Sequence, residues 1–225
     1  MPAIRQRPSP NCDARPDGQR VDILLLHYTG MKSAAESLAR LCDPTAKVSA
    51  HYLVEEDGTL WQLVDEAQRA WHAGIGSWAG ATDISARSIG IELQNPGHEF
   101  GYRKFPEPQM QALIELARGI LARHAIPPAR VLGHADTAPT RKEDPGELFD
   151  WRRLAREGIG LWPDDGPATG SADWQALLAQ YGYDVRDPDA ALRAFRRHFE
   201  PEALDRPASS ETTRRLSRLI DSAAA

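Results

Sequence analysis

The stretch Val21-Asp-Ile-Leu-Leu-Leu-His-Tyr-Thr29 constrains the fold more than any other. Val21 to Leu26 is an apolar run of strand length, of the kind that a central strand buried on both faces requires. It stops on His27. A second short strand, Arg130 to Gly133, stops in the same way on His134, and the Pro145-Gly146 turn then holds Asp144 on the facing side of the same short loop. A single histidine at a strand end is more often a packed residue than a ligand, and an aspartate before Pro-Gly more often caps a turn. Three such positions together are harder to read that way, and they make a three-ligand N,N,O set.

Such a set suits zinc. Neutral imidazole and carboxylate are both ordinary Zn²⁺ ligands, and three protein ligands leave a fourth position for water. An open position implies catalysis rather than architecture, so one Zn²⁺ per chain is expected on His27, His134 and Asp144.

These residues belong to a longer series. His27-Tyr-Thr29, Ser49-Ala-His-Tyr52, Ala70-Trp-His-Ala-Gly74, Ser88-Ile-Gly-Ile-Glu-Leu93, Gly133-His-Ala-Asp136 and Arg141-Lys-Glu-Asp-Pro-Gly146 occur in this order. The series resembles the zinc-dependent N-acetylmuramoyl-L-alanine amidases of the type 2 family, whose fold is shared with peptidoglycan recognition proteins. The resemblance covers roughly residues 8 to 163, and six ordered motifs are far more specific than any one of them. It implies cleavage of the amide between N-acetylmuramic acid, or its anhydro form, and L-alanine in peptidoglycan or muropeptides, during cell-wall turnover or recycling.

Composition narrows the partners. A formal charge of −5 without any Lys/Arg block gives no reason to expect nucleic acid. Cys12 and Cys42, with no CxxC spacing, read as incidental thiols. No apolar run approaches the ~18 residues of a membrane span. The N-terminal segment lacks the apolar core of an export signal, which favours a cytoplasmic protein acting on anhydromuropeptide; the periplasm or outer membrane, with peptidoglycan as substrate, is the alternative, and a monomer is expected.

Along the chain, residues 1–20, rich in Pro, Arg and Asp, are expected to form an irregular arm. Ser33 and Glu36 make a capping-box pattern ahead of a short helix ending at Leu41. Asp57-Gly58 between Ala50–Glu55 and Thr59–Val64 predicts a hairpin. Residues 65–87 read as a long loop, Ser88–Gln94 as a strand, Pro106–His124 as the longest helix and Asp150–Arg156 as another. Interleaved strands and helices point to an α/β fold with a mixed central sheet flanked by helices. Residues 1–163 would form the catalytic domain and 164–171 a linker. Residues 172–225 would be a small three-helix domain with a minimal core of Leu177, Leu178, Tyr181, Leu192, Phe195, Phe199, Leu216 and Ile220. The Tyr181-Gly-Tyr-Asp184 and Ala194–Phe199 segments resemble the peptidoglycan-binding module found beside such amidases; a merely stabilising bundle is the plainer reading.

Amide hydrolysis also needs a proton acceptor and an oxyanion stabiliser. Glu92 interrupts the apolar strand Ile89–Leu93, where a charge is costly unless it faces a polar cavity. Alternation alone leaves it equally able to face water from an edge strand. Lys142, two residues before Asp144, is on its own as readily a solvated lysine as a functional one. The resemblance implies that both are catalytic. His51, Trp71, His72 and Asn95 are candidates for substrate contact, although a histidine on a hairpin strand is as often a packed or supporting residue. His98, His124 and His198 read as ordinary surface or helix residues. The family often carries an Asn-Asp pair where this chain has Ser85-Ala86. Non-catalytic relatives typically lack a metal ligand, whereas this chain keeps all three.

Overall fold

The computed structural model describes residues 3–163 and 173–224, so the expected linker lies outside the described residues. Eight strands are present among them: β1 Ile4–Gln6, β2 Cys12–Ala14, β3 Ile23–Tyr28, β4 Tyr52–Val54, β5 Leu60–Gln62, β6 Gln68–Ala70, β7 Ser88–Leu93 and β8 Val131–Gly133. Helices α1 Ala34–Leu41, α2 Gly97–Phe100, α3 Glu107–Arg123, α4 His134–Thr137 and α5 Trp151–Arg156 precede three more, α6 Trp174–Tyr181, α7 Pro188–Phe199 and α8 Ser210–Ala224. Six strands form one sheet in the order β1-β5-β4-β7-β3-β8, parallel except for the β4–β5 hairpin. The fold is therefore the mixed α/β sheet that the sequence pattern implies.

Local chemistry explains most boundaries. Ser33 caps α1 by accepting from the Glu36 N–H, and Asp150 caps α5 by accepting from Arg153 N–H at 3.0 Å. Pro106 precedes α3, where a missing N–H and a fixed φ cost nothing. The arm at residues 1–20 departs from expectation, because it contributes β1 to the edge of the main sheet and β2 to a small antiparallel pair with β6. Both strands are three residues long and half-buried or exposed, so they are held by backbone pairing and leave no hydrophobic pattern to read.

Strand alternation gives the central sheet two different faces. Leu24, Leu26, Ile89, Ile91 and Leu93 pack under α3, against Met110, Leu113, Ile114, Ala117 and Ile120, with Phe149, Trp151 and Leu154 closing the layer. On the opposite face Ile23, Leu25 and Leu132 pack in one cluster with Leu177, Leu178, Tyr181, Leu192, Phe195, Phe199 and Leu216. The apolar side of the three C-terminal helices thus does not close on itself alone. It completes the second layer of the sheet.

One half-buried carboxylate ties α3 to the hairpin. Tyr52 OH and Arg123 Nη2 donate to Glu66 Oε1 at 2.8 and 2.7 Å, and His124 Nε2 lies 2.8 Å from Oε2. Burial alone would raise the Glu66 carboxyl, but donation by Arg123, His124 and Tyr52 outweighs it and holds the group at about 2. A carboxyl depressed on folding contributes stability above its unfolded pKa of about 4.3, and that contribution fades as pH falls toward the folded value. Glu66→Gln should therefore cost on the order of 1–3 kcal/mol at neutral pH and flatten the acid limb of stability between about pH 4.5 and 2. Urea denaturation across that range measures both; an unchanged acid limb would refute the assignment.

Candidate active site

The register of the sheet builds the site. In the parallel β3–β7 pair His27 lies opposite Glu92, and in β3–β8 Leu26 lies opposite Gly133, so His27 and His134 leave neighbouring strands side by side. Three adjacent parallel strands thus deliver Glu92, His27 and His134 together at their carboxyl ends, where open α/β sheets characteristically place ligands. Asp144 arrives from the facing loop, which is tied to α4 by Ala135 N–H donating to the Asp144 carbonyl at 2.9 Å.

The three donor atoms form a small triangle. His27 Nδ1 is 3.0 Å from His134 Nδ1 and 3.0 Å from Asp144 Oδ2, and His134 Nδ1 is 3.1 Å from the same oxygen. All three residues are buried. Two imidazole nitrogens and a carboxylate oxygen so close cannot all be satisfied by shared protons. The edges are slightly shorter than the roughly 3.3 Å expected between ligand atoms held tetrahedrally at about 2.0 Å. His27, His134 and Asp144 are the group able to hold a metal ion among the described residues.

The hydrogen bonds behind the triangle set the tautomers. His134 Nε2 is 2.9 Å from the Ala73 carbonyl, an acceptor only, so this nitrogen carries the proton and Nδ1 presents its lone pair. A longer chain fixes His27. Ser88 Oγ donates to the Ile84 carbonyl at 2.6 Å and so accepts from His72 Nε2 at 3.2 Å. His72 Nδ1 is then an acceptor for His27 Nε2–H at 3.0 Å, leaving His27 Nδ1 free to ligate. Gly90 makes the chain possible, since a Cβ there would fall 2.5 Å from His72 Nδ1.

Burial first and then the neighbouring His134 push His27 down to about 4 against the pull of Asp144, and burial with His27 and His51 nearby pushes His72 well below the ordinary imidazole range. Both rings are therefore held neutral, the state in which His72 Nδ1 accepts from His27 and His27 Nδ1 can offer a lone pair to a metal. Burial opposes ionisation of Asp144, and a proton on the facing His134 or His27 nitrogen lowers its carboxyl against that burial; with both protons on Nε2, a bound cation would take over that role. Glu92 is the opposite case. Burial first, then the Asp144 charge, raises its carboxyl well above the usual range, with Lys142 pulling the other way. Its Oε2 is buried without a hydrogen-bond partner among the described residues.

A cavity of about 360 Å³ opens over this group, lined by Tyr28, Trp71, His72, Arg40, Arg141 and Lys142 as well as Glu92 and the triad. Of the four candidates for substrate contact, Trp71 and His72 reach the cavity wall, and His72 spends both ring nitrogens on His27 and Ser88. His51 is fully buried behind the site, accepting from Gly90 N–H at 2.9 Å and facing the Gln68 carbonyl at 3.1 Å. Asn95 is equally buried, its side chain joining the Arg103 carbonyl and the Gly97 N–H. Neither lies in the cavity lining. Ser85, at the position of the family's departure, accepts from Ala73 N–H at 3.1 Å and so backs the carbonyl that orients His134.

Two arginines have structural roles that the sequence pattern does not assign. Arg15, from the N-terminal arm, donates to the Ser85, Ala86 and Ser88 carbonyls and lies 3.1 Å from His51 Nε2. Arg141 holds the loop at the cavity mouth by donating to the Ala73 and Ile75 carbonyls. Arginines in a proline-rich arm and beside a lysine carry no periodic signal that would mark them.

Convergent imidazoles, a carboxylate among them, a carboxyl whose buried oxygen has no partner among the described residues, and a cation on the same cavity wall have the layout of a metal-assisted hydrolase. The N-acetylmuramoyl-L-alanine amidase family model matches residues 17–147, which include the triad, Glu92 and Lys142, and the chain belongs to that family. The chain is 41% identical over 232 residues to N-acetylmuramoyl-L-alanine amidase AmiD of Escherichia coli, covering 90% of this chain and 83% of that protein. It is 33% identical over 167 residues to the 1,6-anhydro-N-acetylmuramyl-L-alanine amidase AmpD of Haemophilus influenzae, a match that covers 66% of this chain and 89% of that one. In structure it resembles E. coli AmiD complexed with anhydro-N-acetylmuramic acid-L-Ala-D-γ-Glu-L-Lys, at a TM-score of 0.80 and 38% identity over 96% of this chain and 93% of that one. It also resembles AmpDh3 of Pseudomonas aeruginosa, at a TM-score of 0.83 and 34% identity over 93% and 95% of the two chains.

Proposed function

We propose that this amidase uses one zinc ion, held by His27, His134 and Asp144, to hydrolyse the bond between muramic acid and L-alanine, with anhydromuropeptides among its substrates. The single observation that supports this most is the meeting of an N,N,O triad with Glu92 on one cavity, with His27, His134 and Glu92 set by strand register. Bound zinc supplies an ionisable water and polarises the scissile carbonyl. Glu92 takes the proton of the attacking water and returns it to the leaving amine. A carboxyl whose affinity for protons is raised by burial is suited to that exchange near neutral pH. Lys142 offers a positive charge where the carbonyl oxygen becomes negative. His72, through His27, holds a ligand in its working tautomer rather than gripping substrate.

The cavity also fits a peptide bearing carboxylates, since Arg40, Arg141 and Lys142 line it. An anhydromuramyl tripeptide of the kind bound in the AmiD complex carries such groups further along its stem peptide. No described helix is long and apolar enough to cross a membrane. The test is to load purified protein with zinc, offer it anhydromuramyl-tripeptide and follow release of free peptide. Cleavage that stops on chelation and returns with zinc is expected. A zinc-loaded protein that binds the compound without cutting it would make the chain a recognition protein.

A further inference from the structure

The C-terminal helices touch the ligand loop itself. Asp136, two residues after His134, is 2% exposed and accepts three hydrogen bonds. Its Oδ2 takes the Gly133 N–H at 2.7 Å and faces His198 Nδ1 at 2.7 Å, while Oδ1 takes the Tyr183 hydroxyl at 2.6 Å. Two of these three donors come from the C-terminal unit. His198 also stacks on Trp151 at 3.7 Å between ring centroids, and Trp151 is itself packed against Gly133, 3.2 Å from where a Cβ would stand. The other arm of the loop is gripped from the same helix. Arg197 Nη2 donates to Glu143 Oε2 at 2.9 Å, and Glu143 lies between Lys142 and Asp144.

We propose that α7, together with Tyr183, is a brace for the metal centre, and that Tyr183, Arg197 and His198 are positioning residues acting on His134 and Asp144 through Asp136 and Glu143. The inference rests on the zinc reading above and deepens it. A buried carboxylate is expensive to leave short of donors, so Asp136 holds Gly133, and hence the first residue of α4, only while Tyr183 and His198 saturate its other lone pairs. Residues that orient metal ligands from behind typically change metal affinity 10–100-fold when removed. Burial of the sheet's second face explains why these helices are there. It does not explain why adjacent residues of α7 reach one arm of the loop each.

The test uses full-length Tyr183→Phe, Arg197→Ala and the double variant, comparing zinc dissociation constants by chelator competition with apo-protein melting temperatures. The double variant should bind zinc at least about tenfold more weakly than wild type while folded. Arg197→Ala, which removes the ion pairs to Glu143 and Glu147, should show a smaller loss in the same direction and reports even if Tyr183→Phe unfolds. A merely structural role would lower the apo melting temperature and leave the zinc affinity of the folded protein within twofold of wild type. That result would overturn the brace. A wild-type protein that takes up no zinc would overturn the zinc reading first.

Discussion

Alanine at His27, His134 or Asp144 is expected to strip zinc from the protein and to lower amide cleavage on the order of 10³-fold or more, the equivalent of several kcal/mol of lost transition-state stabilisation. The three donor atoms lie 3.0–3.1 Å apart and each residue is buried, so a lost ligand has no neighbour placed to replace it. Glu92, opposite His27 on the neighbouring strand, is not among the donors that converge there. Metal content by elemental analysis and cleavage of anhydromuramyl-tripeptide measure the two halves separately. Full zinc content with ordinary turnover in any one variant would remove that residue from the ligand set. The three variants should also differ in stability. His27→Ala opens a hole inside the sheet and strands His72, whereas Asp144→Ala removes a charge from a loop and relieves its desolvation.

The candidate ligands stood out because each breaks a local pattern. A histidine at the end of an apolar strand and an aspartate ahead of Pro-Gly are anomalies that hydropathy alone exposes, and the Asp57-Gly58 turn and the Ser33 cap announce themselves by short-range chemistry. Register was not legible. Alternation allowed Glu92 to face a cavity or water, and only its pairing opposite His27 places it beside the ligands. Residues whose meaning depends on distant partners were misjudged for the same reason. His198 looked like an ordinary helix residue, yet it is buried on Asp136, which lies far from it in sequence. The arm at residues 1–20 looked irregular because its strands are held by backbone pairing. The C-terminal helices showed which of their sides is apolar, but amphipathicity names a buried face without naming what covers it. Here it is the second face of the catalytic sheet as well as the neighbouring helices.

Glu92→Gln is the substitution that best separates chemistry from architecture. It should leave zinc bound and reduce turnover by roughly 10²–10⁴-fold, the range for loss of a general acid/base group. Its effect on stability should have the opposite sign. A carboxyl whose pKa is raised on folding favours the folded state below its unfolded pKa of about 4.3 and opposes it increasingly as pH climbs toward the folded value. At neutral pH, then, Glu92 is a burden to the fold, since its buried Oε2 has no partner among the described residues and Asp144 adds like charge. A neutral amide of the same shape removes that burden, so the apo-variant should melt at or above the wild-type temperature near pH 7, and the difference should shrink on acidification toward pH 4. Lys142→Ala is the complementary control, losing turnover with zinc retained but without removing a carboxyl from the strand. Loss of zinc from Glu92→Gln would mean that a ligand had been taken for a catalyst. A variant that melted markedly lower while cutting normally would mean that Glu92 serves the fold, and the proton acceptor would then have to be sought among the other groups on the cavity wall.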